Sequence, residues 1–272
     1  MNAAEIFERY VAAEYAYFTP KGEPLCWPVT PYWYPNTQSL AIATGLAYPK
    51  KADYAKLNPK VALLFSDATS SGLPSGDHVS VKADASVKDT DIQANTDRYV
   101  LELRQKFPMA RLAINRLTVG LLDFYLPRLW IDMVPVDISS IAASASDTPS
   151  KPFMGYLDGV VTVKGADGYP AMLRTSVEET DHGTILLGDS PGDGPACLTL
   201  HRHTLGGTRF QAHMVRGNIT EANRFVPYKV VGFFGNGFVF PLSVIGHIGE
   251  LRRKLKRELD RRGQPMPKLR IL

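Results

Sequence analysis

The segment from Trp27 to Asp67 constrains the fold of this chain more than any other part of the sequence. Two runs rich in β-branched and aromatic residues, Trp27–Tyr34 and Leu40–Thr44, flank the polar stretch Pro35–Gln38. This pattern predicts a β-hairpin, because β-branched and aromatic residues favour strands while Pro and Asn favour turns. A further apolar run, Val61–Ser66, predicts the next strand.

A short helix is predicted between the second and third of these strands. Tyr48–Leu57 is too charged for a buried strand, is rich in Ala and Lys, and is followed by Asn58-Pro59, which ends a helix. Lys50 and Lys51 therefore stand where a strand gives way to a helix. Ammonium groups and unpaired backbone N–H groups at a helix start attract phosphate. The alternative is that both lysines belong to a solvated turn.

The order of these features resembles the FMN-binding split β-barrel family. That family includes pyridoxamine 5′-phosphate oxidase-like proteins and deazaflavin-dependent reductases. The matching features are Thr44 at a strand end, the Lys50-Lys51 pair, the short helix and Asn58-Pro59. Val79–Lys88 and the run from Arg128 to Ile131 resemble two further strands of the same barrel.

The resemblance implies a cofactor and places it. FMN is the expected cofactor, with the deazaflavin coenzyme F420 as the alternative. Its phosphate would be held by Thr44, Lys50 and Lys51, with help from Ser66, and its ring would lie against Pro28, Val29 and Thr30. A small-molecule substrate would meet the exposed ring face beside Tyr32, Trp33, Arg174 and His201.

The second half of the chain repeats the strand pattern of the first half in divergent form. Beyond the small-residue stretch Ser139–Ser150, which is typical of a linker, four apolar runs follow the same order: Pro170–Thr175, Thr184–Gly188, Gly194–Leu200 and Phe210–Thr220. The lysine-bearing helix is replaced by the acidic segment Asp189–Asp193, which would repel a phosphate. The alternative is one irregular domain without a repeat.

We therefore expect a mainly β protein with helices (α+β), built from two tandem split β-barrels of which the second is degenerate. The expected units are residues 1–145, which hold the phosphate seat, residues 151–242, and a C-terminal amphipathic helix and tail over 243–272. That helix is predicted because Val244, Ile248, Leu251, Leu255 and Leu259 recur at spacings of three and four. Because the family's usual members are homodimers, the resemblance implies that the second barrel replaces a partner subunit, in a monomer or a further homodimer.

Composition excludes several other classes of function. The formal net charge of +4 is too small to indicate nucleic acid as a partner, and no run of 18 apolar residues predicts a membrane span. Cys26 and Cys197 lie in apolar strands, which makes a disulfide framework unexpected and a cytoplasmic location the default. The acids and apolar spacing of the first 18 residues favour a packed helix.

The expected activity is that of an oxidoreductase that transfers hydride to or from a small organic substrate. A haem-binding or haem-degrading barrel is a second possibility, because His201, His203 and His213 fall on two neighbouring predicted strands. A metal site is disfavoured, since no Cys, Asp or Glu lies near these histidines in ligand spacing. A barrel that binds a cofactor without catalysis is the third possibility.

Overall fold

The computed structural model describes residues 2–142, 150–180, 183–203, 209–236 and 242–270. The helices are α1 (Ala3–Arg9), α2 (Lys50–Leu57), α3 (Ile92–Lys106), α4 (Pro108–Ala113) and α5 (Leu242–Arg261), with a 3₁₀ turn at Val119–Leu122. The first seven strands are β1 (Ala13–Phe18), β2 (Pro24–Val29), β3 (Pro31–Tyr34), β4 (Ser39–Gly45), β5 (Lys60–Phe65), β6 (His78–Lys88) and β7 (Arg128–Ile141). The other six are β8 (Asp158–Lys164), β9 (Pro170–Glu179), β10 (Ile185–Leu187), β11 (Gly194–His203), β12 (Arg209–Thr220) and β13 (Arg224–Asn236).

The first seven strands form one antiparallel sheet that curls back on itself. Its strand order is β2-β1-β5-β6-β7-β4-β3, so β2 and β3 lie on opposite edges. Only Thr30 separates these two strands along the chain. One continuous stretch of backbone therefore pairs with β1 through its first half and with β4 through its second half, which brings the two edges of the sheet together.

The second set of strands forms a closed barrel in the order β10-β13-β12-β11-β8-β9. In this barrel β9 pairs with both β8 and β10, as the β2–β3 stretch pairs with both β1 and β4. The remaining strands follow the same order in the two halves. The second barrel has no described counterpart of α2 or α3, and β12 runs into β13 through a tight turn in which Ala222 and Asn223 adopt positive φ. The expected tandem split-barrel fold is thus confirmed, with a curled sheet in the first half and a closed barrel in the second.

The two halves share a hydrophobic core. Strand β2 packs against β11 and β12, and the buried residues Met172, Cys197 and Met214 of the second barrel belong to the same apolar cluster as the core of the first sheet. The Thr199 hydroxyl donates a 3.0 Å hydrogen bond to the Cys26 carbonyl across this junction. The barrels therefore meet through a packed, apolar surface rather than through a loose linker.

Helix α5 packs on the first half through the apolar stripe that the sequence predicts. Leu255 and Leu259 are buried in the shared core. Beyond them, Arg261 and Arg262 form ion pairs with Asp53 of α2, and Arg262 also pairs with Asp89 after β6. The helix is thereby fixed against the part of the first sheet that carries α2.

Truncation of Leu255 tests this packing. We expect Leu255→Ala to lower the free energy of unfolding by about 2–4 kcal/mol, because the side chain is 1% exposed and its removal leaves a cavity. Urea unfolding followed by tryptophan fluorescence measures the change. The exposed neighbour Lys256 is the control, and Lys256→Ala should stay within about 0.5 kcal/mol. An equally small effect of Leu255→Ala would show that α5 does not pack as described.

Three predictions about local structure need correction. The expected helix over the first 18 residues ends at Arg9, and Tyr17 lies on strand β1, because β1 is buried along its whole length and pairs with β2 and β5. The expected strand Trp27–Tyr34 divides at Thr30 into β2 and β3. The start of the expected linker Ser139–Ser150 belongs to β7, which extends to Ile141, while residues 143–149 lie outside the described residues.

Among the residues described, none of the helices combines the length and the apolar character needed to cross a bilayer.

Candidate functional site

Glu14 is the centre of a polar cluster buried between the two barrels. It lies on β1 and is fully buried. Its Oε1 accepts a 2.9 Å hydrogen bond from the Ser66 hydroxyl and lies 2.6 Å from Nε2 of His201. The guanidinium of Arg174 approaches the same oxygen at 3.8 Å. A buried carboxylate with a hydroxyl, an imidazole and a guanidinium around it is stabilised by partners from both halves of the chain.

Arg174 extends the cluster towards the surface. Its Nη1 donates to the Ser66 hydroxyl at 3.2 Å, and its Nε donates to a carboxylate oxygen of Asp158 at 3.1 Å. Ser66 follows β5 of the first half, whereas Arg174 and Asp158 belong to β9 and β8 of the second. The arginine is therefore held in one orientation by acceptors from both barrels.

Asp67 and His203 continue the cluster on the other side of His201. His201 and His203 are two residues apart on β11, so both face the first barrel, and their rings lie nearly parallel with centroids 6.3 Å apart. The Nδ1 atom of His203 lies 3.2 Å from a carboxylate oxygen of Asp67, and its Nε2 lies 3.0 Å from the Thr69 carbonyl oxygen. We call Glu14, Ser66, Asp67, Arg174, His201 and His203 the junction cluster.

A cleft of about 410 Å³ gives solvent access to this cluster. The first half contributes Ser66 and the segment that follows it, and the second half contributes Tyr156, Asp158, Arg174, His201 and Arg202. Arg202 lies over the ring of Tyr156 at 4.3 Å and donates to the Gly155 carbonyl oxygen at 3.1 Å. The cleft thus combines anionic and cationic side chains held in fixed positions, as small-molecule sites require.

The charges of the cluster shift the pKa values of its acids. Burial by itself raises the pKa of the Glu14 carboxyl, but the hydrogen bond from His201 and the charges of His201 and Arg174 outweigh it, so the pKa is lowered. Burial also raises the pKa of the Asp67 carboxyl. The hydrogen bonds from Thr69 and the charge of His203 outweigh this effect and lower the pKa below its usual range. Both acids are therefore ionised at neutral pH.

A second candidate site lies where β4 and β7 meet α2. The guanidinium of Arg128, at the start of β7, lies over the rings of Tyr99 and Tyr125 at 4.4 and 4.3 Å and donates to the Tyr99 hydroxyl at 3.2 Å. Burial, together with the positive charge of Arg128, lowers the pKa of the Lys51 ammonium to about 8. In the described part of the chain neither Lys51 nor Arg128 forms an ion pair with an acid. We call these two side chains the cation pair.

Two details show that the cation pair fits an anionic group. The Nε atom of Arg128 is buried and has no hydrogen-bond partner among the described residues. Gly45, which precedes the α2 segment, leaves room for the arginine, because a Cβ at this position would come within 2.8 Å of Arg128 Nη1. A phosphate carries the oxygen acceptors that two desolvated cations lack here.

The structure gives Lys50 and Lys51 different environments, although the sequence predicts the same role for both. Lys51 shares a face of α2 with the buried Ala55 and is largely covered, whereas Lys50 is exposed. The Thr44 hydroxyl, near the end of β4, donates to the Tyr48 carbonyl oxygen at 3.2 Å and so shapes the turn that leads into α2. Thr44 and Lys51 are thus brought to the same end of the first sheet, and Lys50 points away from it.

The other residues assigned to the cofactor and substrate fall into three groups. Ser66, Arg174 and His201 meet in the junction cluster, although they come from different barrels. Tyr32 is buried against Trp130 with ring centroids 5.1 Å apart, and Trp33 packs on Phe7 of α1. Pro28, Val29 and Thr30 form the crossing between β2 and β3, where Thr30 belongs to neither strand ladder.

His213 does not join the two histidines with which it was grouped. It pairs with Leu200 across β11 and β12, so its side chain lies on the opposite face from that of His201. There it packs against Tyr156, with ring centroids 5.9 Å apart. The expected group of three histidines is therefore a pair, and the third neighbour of that pair is the carboxylate of Asp67.

Sequence reasoning missed Glu14, Asp67, Asp158 and Arg128. Glu14 stands in the strand Ala13–Phe18, where a single acid among alanines and aromatic residues is the available signal. Buried acids require partners, so its position alone indicates a paired site. Arg128 begins a strand that resembles one of the family's barrel strands, and its charge at the strand start is the available signal.

Comparison with known proteins gives matches only among solved structures. No protein-family model matches the chain, and no curated protein does. A pyridoxamine 5′-phosphate oxidase-like protein from Listeria innocua is 14% identical over 51% of this chain and 94% of its own, with a TM-score of 0.33. A conserved hypothetical protein from Mycobacterium tuberculosis is 17% identical over 55% and 94%, with a TM-score of 0.41. A structure described as an F420 reductase is 16% identical over 51% and 98%, with a TM-score of 0.37.

Each of these structures covers about half of the chain, while nearly the whole of each neighbour is matched. The strand order of the two halves decides the architecture. This chain is a tandem split-barrel protein. The junction cluster lies where the two halves of this chain pack together.

Proposed function

We propose that this tandem split-barrel protein binds a phosphate-bearing flavin, FMN or the deazaflavin F420, and uses it in an oxidoreductase reaction on a small organic substrate. The observation that carries the proposal is the cation pair. Lys51 and Arg128 lie together at the end of the first sheet without an acid to neutralise them among the described residues. Placing two desolvated like charges together is unfavourable unless an anion completes the site.

The residues have distinct roles in this proposal. Lys51 and Arg128 would hold the phosphate, and Thr44 would fix the turn that presents Lys51. The backbone of Val29 and Thr30, which lies at the crossing between the two strands, would face the polar edge of the ring. The bound flavin supplies hydride chemistry, and the protein supplies position and electrostatics.

The interdomain cleft is the proposed place for the substrate. Arg174 is oriented by Ser66 and Asp158, and it can attract an anionic or strongly polar substrate group. His201, held by Glu14, lines the same cleft. The second barrel would thus contact the substrate and not the cofactor phosphate. Its acidic segment Asp189–Asp193 agrees with this role, because it would repel a phosphate.

Binding measurements with matched lysine variants test the proposal. We expect Lys51→Met to weaken FMN binding about ten- to hundredfold, because one charge-assisted hydrogen bond to the phosphate is lost. Lys50→Met is the control and should leave the dissociation constant within about twofold, since Lys50 is exposed. Fluorescence titration with FMN, and in parallel with F420, gives the constants and identifies the preferred cofactor.

Riboflavin separates loss of the phosphate contact from a general disturbance of the site. It carries the same ring as FMN but no phosphate, so its affinity should be equal in the wild-type protein and in Lys51→Met. Equal losses for both ligands would place Lys51 away from the phosphate. Equal FMN affinity in the wild-type protein, Lys51→Met and Lys50→Met would contradict the proposed phosphate site.

A further inference from the structure

We propose that Asp67, His201 and His203 form a binding site for one divalent transition-metal ion at the junction of the two barrels. The ligand atoms of these three side chains all lie within 4.8 Å of one another. Two imidazoles and one carboxylate are a ligand set suited to Zn²⁺, Fe²⁺, Co²⁺ or Mn²⁺. The site is independent of the cation pair and of the proposed flavin.

The spacing of the donor atoms agrees with coordination of a single ion. Ligands about 2.1 Å from a metal lie roughly 3.0–3.4 Å from each other in octahedral or tetrahedral geometry. The 3.2 Å between Nδ1 of His203 and the Asp67 carboxylate falls within this range. The donor atom of His201 lies within 4.8 Å of the other two, so that side chain would rotate towards them when an ion binds.

Both histidines are already oriented as metal ligands usually are. A ligating imidazole commonly binds the metal through one ring nitrogen while the other contacts a carboxylate or a carbonyl oxygen. Nε2 of His201 faces Glu14 at 2.6 Å, and Nε2 of His203 faces the Thr69 carbonyl oxygen at 3.0 Å. Nδ1 of His203, which lies beside the Asp67 carboxylate, is then the nitrogen of that ring that can coordinate.

The hydrogen-bonding capacity of His203 favours the same conclusion. Its Nε2 lies 3.0 Å from the Thr69 carbonyl oxygen, whereas its buried Nδ1, 3.2 Å from the Asp67 carboxylate, has no hydrogen-bond partner among the described residues. A divalent cation between Nδ1 and the carboxylate satisfies both without a second ring proton. It would also bring positive charge near Glu14, whose Oε2 is buried and has no hydrogen-bond partner in the described part of the chain.

Access and open coordination positions complete the site. Asp67 and His201 line the interdomain cleft, so an ion can enter from solvent without opening the core. Three protein ligands leave positions for water or a substrate, as in catalytic rather than structural metal sites. Arg174 and Arg202 border the same cleft, and the ligand class that fits the open positions is therefore a small anion such as a carboxylate.

Equilibrium dialysis of the chelator-treated full chain against Co²⁺ tests the site, with bound metal quantified by mass spectrometry and by visible absorption. We expect one Co²⁺ per chain, absorption bands typical of nitrogen and oxygen ligands, and a rise in melting temperature. Asp67→Asn and His203→Gln should each weaken binding at least tenfold. The control His213→Gln should bind as the wild type, because His213 lies on the opposite face of the barrel wall.

Lys51→Met is a further control, and it should bind Co²⁺ unchanged even if the flavin proposal fails. Circular dichroism of each variant establishes that it is folded. Sub-stoichiometric Co²⁺ in the wild-type protein would overturn the proposal. So would equal losses in His213→Gln and His203→Gln, which would show that the lost binding does not depend on the group of Asp67, His201 and His203. Repetition with Zn²⁺ and Mn²⁺ ranks the metals by affinity.

Discussion

Replacement of Glu14 by alanine is expected to lower the free energy of unfolding by about 3–5 kcal/mol, the largest effect of any single substitution in the junction cluster. Glu14 is fully buried and accepts a hydrogen bond from Ser66 while facing His201 at 2.6 Å. Alanine leaves His201 and Arg174 in a buried position without the carboxylate that compensates them. Uncompensated charge and unsatisfied donors in a core account for the size of the loss.

The variant Glu14→Gln separates charge from hydrogen bonding. Glutamine keeps an oxygen acceptor of nearly the same shape, so its effect should be about half that of alanine. Glu5→Ala is the control for removing an acid, because Glu5 forms an exposed pair with Arg9 on α1 and should change stability by at most about 0.5 kcal/mol. Denaturant unfolding followed by circular dichroism measures all three. A loss below about 1 kcal/mol for Glu14→Ala would show that the cluster contributes little to the junction.

A double-mutant cycle between Glu14 and Arg174 would show how much of this energy couples the barrels. The two residues belong to different halves, so their coupling energy reports directly on the interface. Because Arg174 also contacts Ser66 and Asp158, the cycle isolates only the Glu14 part of its interactions.

The parts of the fold that the sequence predicts are those with local signals. The hairpin of β3 and β4 follows from two runs rich in β-branched and aromatic residues around Pro35–Gln38, and α2 ends at Leu57 because Asn58-Pro59 follows it. The apolar spacing of α5 lies within 20 residues. Such signals depend on a few neighbouring residues and do not require knowledge of tertiary contacts.

The junction cluster has no local signal. Glu14 and His201 are 187 positions apart, and His203 and Thr69 are 134 apart. These pairs form only because β11 packs against the first half of the chain when the two barrels come together. The family resemblance placed Arg174 and His201 near the substrate, but their partners depend on the register of strands that the sequence does not encode locally.

The division of roles between Lys50 and Lys51 shows a similar limit on a smaller scale. Successive residues on a helix differ by about 100° in direction, so one of two adjacent lysines faces the sheet and the other faces solvent. The buried Ala52 and Ala55 show which face of α2 packs inwards, and Lys51 lies beside that face. Those two alanines are the sequence signal that would have selected Lys51.

Replacement of Lys51 by methionine is expected to have opposite effects on stability and on cofactor binding. Without a bound anion, Lys51 is a largely covered cation beside Arg128, and burial lowers its pKa to about 8 from an ordinary 10.5. Methionine fills a similar volume without charge, so we expect the cofactor-free protein to gain about 1–3 kcal/mol. A residue retained for packing alone would not combine a gain in stability with a loss of FMN affinity.

The pH dependence of stability and of FMN affinity tests the same role of Lys51 in the wild-type protein. Since the folded pKa lies below the unfolded value, the unfolded chain binds more protons between pH 8 and pH 10.5, and Lys51 makes the folded state relatively more stable as pH rises through that range. FMN affinity should fall in the same range, by up to tenfold per pH unit, because the phosphate needs the charged ammonium. The groups that face Lys51 are Arg128, which stays charged, and Cys26, whose pKa burial raises. Lys51→Met should remove both trends, and a pH profile identical to that of the wild type would assign them to other groups.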